Sequence, residues 1–256
     1  MSGKALRMRH IRDPETKKFI LVPMDHGITL GPVKGLRHIE KTILDIKEGG
    51  ATAIVVHKGI LPRIAHLDLH GLGMIVHLSA NTILSPDRFY KTQVTSVETA
   101  VRMGADAISI HINFGNESEQ QMLEEAGVTA DECHEFGIPL LAMVYGRGEM
   151  IKNPYDETMN AHIARIGEEI GADIVKTVYT GNVESYRNVT SAVSVPVIIA
   201  GGEKMDSDQA VFDMIDQALE AGADGISIGR NIFQHDNPRA LVSEIHQLMK
   251  NRMKEM

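Results

Sequence analysis

One six-residue pattern recurs four times along this chain. It reads Gly50-Ala51-Thr52-Ala53-Ile54-Val55, Gly104-Ala105-Asp106-Ala107-Ile108-Ser109, Gly171-Ala172-Asp173-Ile174-Val175-Lys176 and Gly222-Ala223-Asp224-Gly225-Ile226-Ser227. Each copy follows an amphipathic, helix-like run and opens a short apolar run. A helix end, a tight turn and a strand repeated in this way require a fold in which helices and strands alternate. The apolar runs read as eight strands, at 19–24, 52–57, 73–78, 106–112, 138–144, 173–178, 195–200 and 224–229. They are nearly continuous in apolar residues, as strands covered on both faces are. Segments between them have helical spacing, as in Met159, Ile163 and Ile166, or Val211, Met214, Ile215 and Ala218. Asp206 and Ser207 are candidate caps for one helix. Asn237-Pro238 opens the last as a cap followed by proline at the first helical position.

Eight strands alternating with helices over 256 residues predict a (β/α)8 TIM barrel, with parallel strands inside and helices outside. A doubly wound sheet uses similar turns and is the competing arrangement. The recurrence of the pattern at every second strand favours the barrel. Residues 1–18, rich in Lys and Arg, are expected to cover its bottom. No linker or low-complexity segment interrupts the chain, so residues 1–256 are expected to form one domain.

Composition narrows the function. Apolar residues at 43% and charged residues at 23% belong to an ordinary soluble protein. A net charge of −8 argues against a nucleic-acid partner, which needs clustered cations, but allows small phosphorylated ligands. The single Cys133 excludes a disulfide framework and a Cys-rich metal site, and its helical setting reads as core packing. Neither a secretory leader nor a membrane-spanning run is visible, so a cytoplasmic protein without a membrane partner is expected.

The repeated frame ends at Val55, Ser109, Lys176 and Ser227. A lysine at the mouth of a buried strand demands a reason. If Lys176 points inward, strand alternation turns His57, His111, Val178 and Gly229 inward above that level. Barrel active sites lie at this C-terminal end. A lysine can also lay its stem along a strand and reach solvent. Desolvation or a nearby cation lowers the amine from ~10.4 towards ~7–8, which makes it a nucleophile for carbonyls. Asp25, before His26-Gly27, is a turn aspartate or a proton-carrying carboxylate near that lysine. Tyr145 is a rim aromatic or an acid/base phenol. Ala200-Gly201-Gly202-Glu203-Lys204 and Gly229-Arg230-Asn231 end strands 7 and 8, where barrel enzymes recurrently hold phosphate. Among twelve histidines, His57, His77 and His111 end strands 2, 3 and 4, with His66 and His70 between. A mononuclear metal centre is therefore a competing reading. No acidic strand-end ligand accompanies these three, which favours hydrogen bonds to substrate hydroxyls instead.

The segments Val22-Pro23-Met24-Asp25-His26-Gly27, Tyr145-Gly146-Arg147-Gly148, Ile174-Val175-Lys176-Thr177, Ala200-Gly201-Gly202 and Ile228-Gly229-Arg230-Asn231-Ile232-Phe233 resemble the archaeal-type class I aldolases. The resemblance implies a Schiff base on Lys176, with Asp25 as proton acceptor and Tyr145 as proton donor. It implies a sugar lined by Asp25, His26, Gly27, Ile28, Thr29, Tyr145, Gly146 and Arg147; the inward strand frame adds His57 and His111 as expected substrate contacts. Gly201, Gly202, Gly229 and Arg230 would hold the phosphate, with Lys204 beside them. Tyr145-Gly146-Arg147 departs from the Tyr-Pro-Arg of the family. The implied reaction is a transaldolase-type transfer from 6-deoxy-5-ketofructose 1-phosphate to L-aspartate semialdehyde, towards 3-dehydroquinate and the aromatic amino acids. Fructose-bisphosphate cleavage, or condensation of the semialdehyde with dihydroxyacetone phosphate, would use the same chemistry. A metal-dependent barrel enzyme and a non-catalytic phosphosugar-binding protein are the readings from other classes. The resemblance further implies no cofactor beyond the lysine imine, no metal, and a homo-oligomer, possibly a decamer.

Overall fold

The computed structural model describes residues 2–255. Eight parallel strands close on themselves: β1 Phe19–Pro23, β2 Ala53–Val56, β3 Gly73–His77, β4 Ala107–Phe114, β5 Leu140–Gly146, β6 Ile174–Val178, β7 Val197–Ala200 and β8 Gly225–Ser227. Neighbours run β1, β8, β7, β6, β5, β4, β3, β2 and back to β1. The expected barrel is therefore observed, and the doubly wound alternative is ruled out. Strands β4 and β5 extend past their expected ends because they pair from Ile108 with Leu140 to Phe114 with Gly146. That register carries Tyr145 up to the rim.

The repeated pattern has a common structural cause. Gly50, Gly104, Gly171 and Gly222 all adopt positive φ, between +89° and +111°, and each terminates a helix. The alanine amide that follows bonds a carbonyl five residues back, as in Ala51 to Ile46, Ala105 to Ala100, Ala172 to Gly167 and Ala223 to Ala218. Glycine is required because L side chains avoid this conformation. In three copies the third side chain then caps the neighbouring strand. Thr52 Oγ1 accepts from the Ile20 amide, Asp106 Oδ2 from Met74 and Asp173 Oδ2 from Leu140, at 3.0, 2.8 and 2.9 Å.

The bottom is closed by the N-terminal segment, as expected. The helix Ser2–His10 uses those same aspartates: Lys4 Nζ lies 2.7 Å from Asp173 and His10 Nδ1 2.9 Å from Asp106. Ile11 then plugs the barrel floor among Phe19, Leu21, Ala53 and Ile75. Above them, alternate residues such as Val55, Leu141, Met143, Ile174 and Ile198 fill the interior, while Ile20, Val22, Ile54 and Val175 face the helices. Each large side chain so buried contributes ~1.5–3 kcal/mol. Expected caps also appear: Ser207 accepts from the Ala210 amide and Asn237 from Ala240. Cys133 is buried in the helix Glu119–Glu135. A short antiparallel ladder, Ser79–Ala80 with Thr92–Gln93, was not foreseen and holds the β3–β4 connection at the rim. No described helix is long and apolar enough to cross a membrane.

Candidate active site

A cavity of about 220 Å³ opens at the C-terminal end of the barrel. Strand alternation aims Lys176 on β6, His57 after β2, His77 on β3, His111 on β4, Tyr145 on β5 and Ser227 on β8 into it. Val178 and Gly229 line it too, as the frame of Lys176 predicts. The expected site residues Asp25, His26, Thr29, Arg147, Gly201, Gly202 and Arg230 also line this space.

Four expected residues do not. After β1 the chain turns into the short helix His26–Leu30, whose period places His26, Thr29 and Leu30 on the cavity side. Gly27 and Ile28 instead line a neighbouring depression with Pro32, Leu36 and Ile60. Gly146, one residue past inward Tyr145, faces outward, where an added Cβ would lie 2.6 Å from Met159. Lys204 points away from the cavity and donates to the Gln234 carbonyl at 3.3 Å. His77, read from its strand end, lines the cavity with His57 and His111, whereas residues the motifs missed include Ser227, Asn81 and Lys91. The frame that selected Lys176 contains Ser227. Lys91, in the β3–β4 connection, carries no local signal.

Lys176 is 5% exposed. Burial pulls its amine from 10.5 down to about 8, with Arg147 assisting and the Asp25 anion opposing. About a tenth of it is therefore free base at pH 7, against less than a thousandth for an ordinary lysine. Burial pushes the Asp25 carboxyl up, but the facing His77, His26 and Lys176 together bring it down to about 2. His77 is itself held by burial at about 4, so the positive charge that faces Asp25 at neutral pH is that of Lys176. Asp25 is thus a firm anion and a weak base, suited first to stabilising a cationic iminium. Burial raises the Tyr145 phenol, against the opposing pull of Arg147, so it stays protonated and can donate. Its ring lies between the His111 ring, 4.9 Å away, and the Arg147 guanidinium, 4.4 Å away.

Burial disfavours the charged forms of the cavity histidines His57, His77 and His111, and a hydrogen bond orients each. His57 Nδ1 lies 3.2 Å from the His77 carbonyl and donates to it. His77 Nδ1 bonds Ser109 Oγ at 2.8 Å, with Nε2 3.7 Å from Asp25. His111 Nε2 bonds Asn113 Oδ1 at 2.8 Å, and burial holds this ring well below the ordinary histidine value. His66 and His70 are exposed and stand outside the cavity. Among the described residues, no group of three or more His, Cys, Asp or Glu is placed to hold a metal ion.

On the β7–β8 side, Arg230 Nη2 donates to the Gly202 carbonyl at 2.9 Å, and Asn231 Nδ2 bonds the Gly201 carbonyl at 3.0 Å. These bonds draw the two glycine segments together. A Cβ on Gly229 would lie 2.7 Å from the Pro23 carbonyl and 2.8 Å from His26, so only glycine fits there. Asp25 Oδ1, His26 Nδ1, Ser227 Oγ and Arg230 Nε are buried without hydrogen-bond partners, and all four residues line this cavity. Stranded polar atoms so concentrated mark a ligand site rather than a packed core.

Residues 19–235 match the DeoC/LacD family aldolase. The chain belongs to this family. A 2-amino-3,7-dideoxy-D-threo-hept-6-ulosonate synthase of Halobacterium salinarum is 41% identical over 95% of this chain and 90% of its own. A similarly named synthase 1 of Archaeoglobus fulgidus is 40% identical over 99% and 93%. A 2-amino-4,5-dihydroxy-6-oxo-7-(phosphonooxy)heptanoate synthase of Streptomyces griseus is 36% identical over 97% and 91%. Among solved structures, an archaeal fructose 1,6-bisphosphate aldolase superposes with a TM-score of 0.89 at 28% identity, covering 96% of this chain and 98% of the other. Another, in which the catalytic Lys is covalently bound to the substrate's carbinolamine intermediate, gives 0.88 at 27%, covering 95% and 98%. This DeoC/LacD aldolase is therefore an enzyme of the Schiff-base class, and covalent lysine catalysis is the chemistry of that class.

Proposed function

We propose that this chain works as a single aldolase domain that builds a seven-carbon 2-amino-6-keto acid, as its synthase relatives are named for. The donor in this reading is 6-deoxy-5-ketofructose 1-phosphate and the acceptor is L-aspartate semialdehyde. Lys176 attacks the C5 ketone and loses water to give an iminium, opposite the Asp25 anion. The C3–C4 bond breaks, its electron pair moves to the iminium nitrogen, and the C3 hydroxyl proton passes to Asp25. Hydroxypyruvaldehyde phosphate departs, and the enamine of hydroxyacetone stays on the lysine. The enamine carbon attacks the semialdehyde, and Tyr145 protonates the new alkoxide. Water then releases the amino-keto acid and restores the amine. The iminium is the electron sink, so this route requires no metal.

The observation that carries the proposal is a buried amine at about 8 facing a carboxylate and a protonated phenol in one cavity. Identity of 40–41% to synthases over nearly full length supports the acceptor. One feature favours a second donor. The cradle of Gly201, Gly202, Gly229 and Arg230 adjoins Lys176 on β7 and β8, where the ketone half would bind. A phosphate on that half, as in dihydroxyacetone phosphate, would give a 7-phosphonooxy product of the kind named for the Streptomyces griseus relative.

Cytoplasmic residence and homo-oligomeric assembly complete the reading, in keeping with the −8 charge and exposed Ile83, Leu84 and Met150. The test is a substrate panel with product identification. It compares fructose 1,6-bisphosphate, dihydroxyacetone phosphate plus semialdehyde, and the deoxyketosugar phosphate plus semialdehyde. Borohydride with donor should inactivate the enzyme at Lys176. EDTA sensitivity would instead support a metal enzyme, and ligand binding without borohydride inactivation a binding protein.

A further inference from the structure

Lys91 is a cation with no hydrogen-bonded or ion-paired partner among the described residues. It lines the cavity and is only partly exposed. The Arg147 guanidinium also lines the cavity and lies 4.4 Å from the Tyr145 ring centroid, with no ion pair to a carboxylate among the described residues. Asp25 is the one carboxylate among the lining residues. Burial lowers the Lys91 amine and Arg147 lowers it further, against the opposing pull of the Asp25 anion, so the two cations are close enough to repel. Such an arrangement is unfavourable until an anion enters between them.

The backbone that presents Lys91 is held firmly. Its neighbours Thr92 and Gln93 pair with Ser79 and Ala80. Asn81 Nδ2 donates to the carbonyls of Tyr90 and Asp87 at 2.5 and 2.9 Å, and Asn113 Nδ2 donates to Phe89 at 2.7 Å. The Tyr90 hydroxyl reaches Glu125 at 2.5 Å. Residues on both sides of Lys91 are thus anchored, and its ammonium projects from a rigid rim.

Strand order fixes the direction of the site. Around the barrel come the glycine cradle after β7 and β8, then Lys176 on β6, Tyr145 on β5 with Arg147 just after it, His111 on β4, and the Lys91 connection after β3. Lys176 therefore stands between two cationic ends. Tyr145 must touch the aldehyde oxygen it protonates, so the aldehyde partner lies on the Tyr145 side of the lysine and its far end falls on Arg147 and Lys91.

We infer that Lys91, with Arg147, forms an anion subsite that selects the acidic tail of the aldehyde partner, the α-carboxylate of the amino aldehyde in particular. This deepens the proposed function and rests on its aldol-addition step. Both synthase names describe a product with a carboxylate at C1, an amine at C2 and a ketone at C6. Only the ketone end differs between them, so an acid-reading subsite serves either donor. L-Aspartate semialdehyde carries its carboxylate three carbons from the aldehyde carbon. The amide oxygen of Asn81, whose nitrogen is committed to two carbonyls, remains as an acceptor for the α-ammonium. The departing hydroxypyruvaldehyde phosphate is an aldehyde with an anionic tail as well. One subsite thus releases the first aldehyde and receives the second.

The test compares wild type, Lys91→Met and Lys91→Arg on L-aspartate semialdehyde and on its α-methyl ester, which has no anionic tail. Lys91→Met should raise KM for the semialdehyde about 10- to 150-fold, the loss of one charge-assisted contact, and change KM for the ester less than about twofold, there being no such contact to lose. Lys91→Arg should recover most of the difference. Borohydride trapping of hydroxyacetone at Lys176, which needs no aldehyde, reports that the variant is folded. Equal losses for acid and ester would overturn the subsite, as would loss of trapping in both variants. If wild type accepts no amino aldehyde, the synthase reading fails separately. Glyceraldehyde 3-phosphate against glyceraldehyde then repeats the comparison: selective loss for the phosphate supports the subsite, and equal loss overturns it.

Discussion

Replacing Lys176 by methionine should abolish imine trapping and at the same time make the protein more stable. Each pKa unit is worth ~1.4 kcal/mol, so holding this amine at about 8 rather than 10.5 costs the fold ~3 kcal/mol at neutral pH. The sign follows from proton counting. The folded-state pKa is depressed, so between about 8 and 10.5 the unfolded chain holds a proton that the folded protein has lost. Wild-type stability therefore rises with pH across that window. The cost is fully present below about 8 and vanishes above 10.5. Methionine fills a similar volume and carries no charge. The value of about 8 already contains the attraction of the Asp25 anion, so the ~3 kcal/mol is a ceiling and the net stabilisation at pH 7 is about 1–3 kcal/mol. Urea denaturation of both proteins at pH 7 and pH 10.5 measures it. The variant should lead at pH 7 and lose its lead at pH 10.5. A variant less stable than wild type at pH 7, or a difference independent of pH, would refute the placement of a desolvated amine. A borohydride adduct on a different lysine in the wild type would refute the chemistry.

Tyr145→Phe keeps the ring contacts with His111 and Arg147 and deletes one hydroxyl. Turnover should fall about 10²–10⁴-fold while trapping at Lys176 persists, and full turnover would remove Tyr145 from the mechanism. Asp25→Asn removes the anion that raises the Lys176 pKa. The midpoint of the pH–trapping curve should therefore move from near 8 to lower pH, and an alkaline shift would contradict this. Arg230→Ala should weaken dihydroxyacetone phosphate by ~1.5–3 kcal/mol relative to dihydroxyacetone. Equal weakening in a binding titration would make Arg230 a brace for the Gly202 carbonyl rather than a phosphate ligand.

Much of this was legible along the chain because it is local. The Gly-Ala-Asp turns fix a left-handed glycine, a helix end and a strand start within six residues, so the strand cores and the inward frame of Lys176 could be read directly. Motif adjacency misled where period mattered. Gly146 sits beside Tyr145 yet faces Met159, and Gly27 and Ile28 sit beside His26 yet face another depression. Lys204 follows the glycine pair but turns to Gln234.

Sequence alone determined the alternation of elements and which face each strand residue takes, since backbone sterics and a period of two act over a few residues. Tertiary structure alone decided that β1 meets β8, and that Lys91, far from any motif, stands over the same cavity as Arg147. It also decided the reactivity of Lys176. An amine's pKa falls only when closure of the barrel takes water away from it, and no stretch of sequence can remove water by itself.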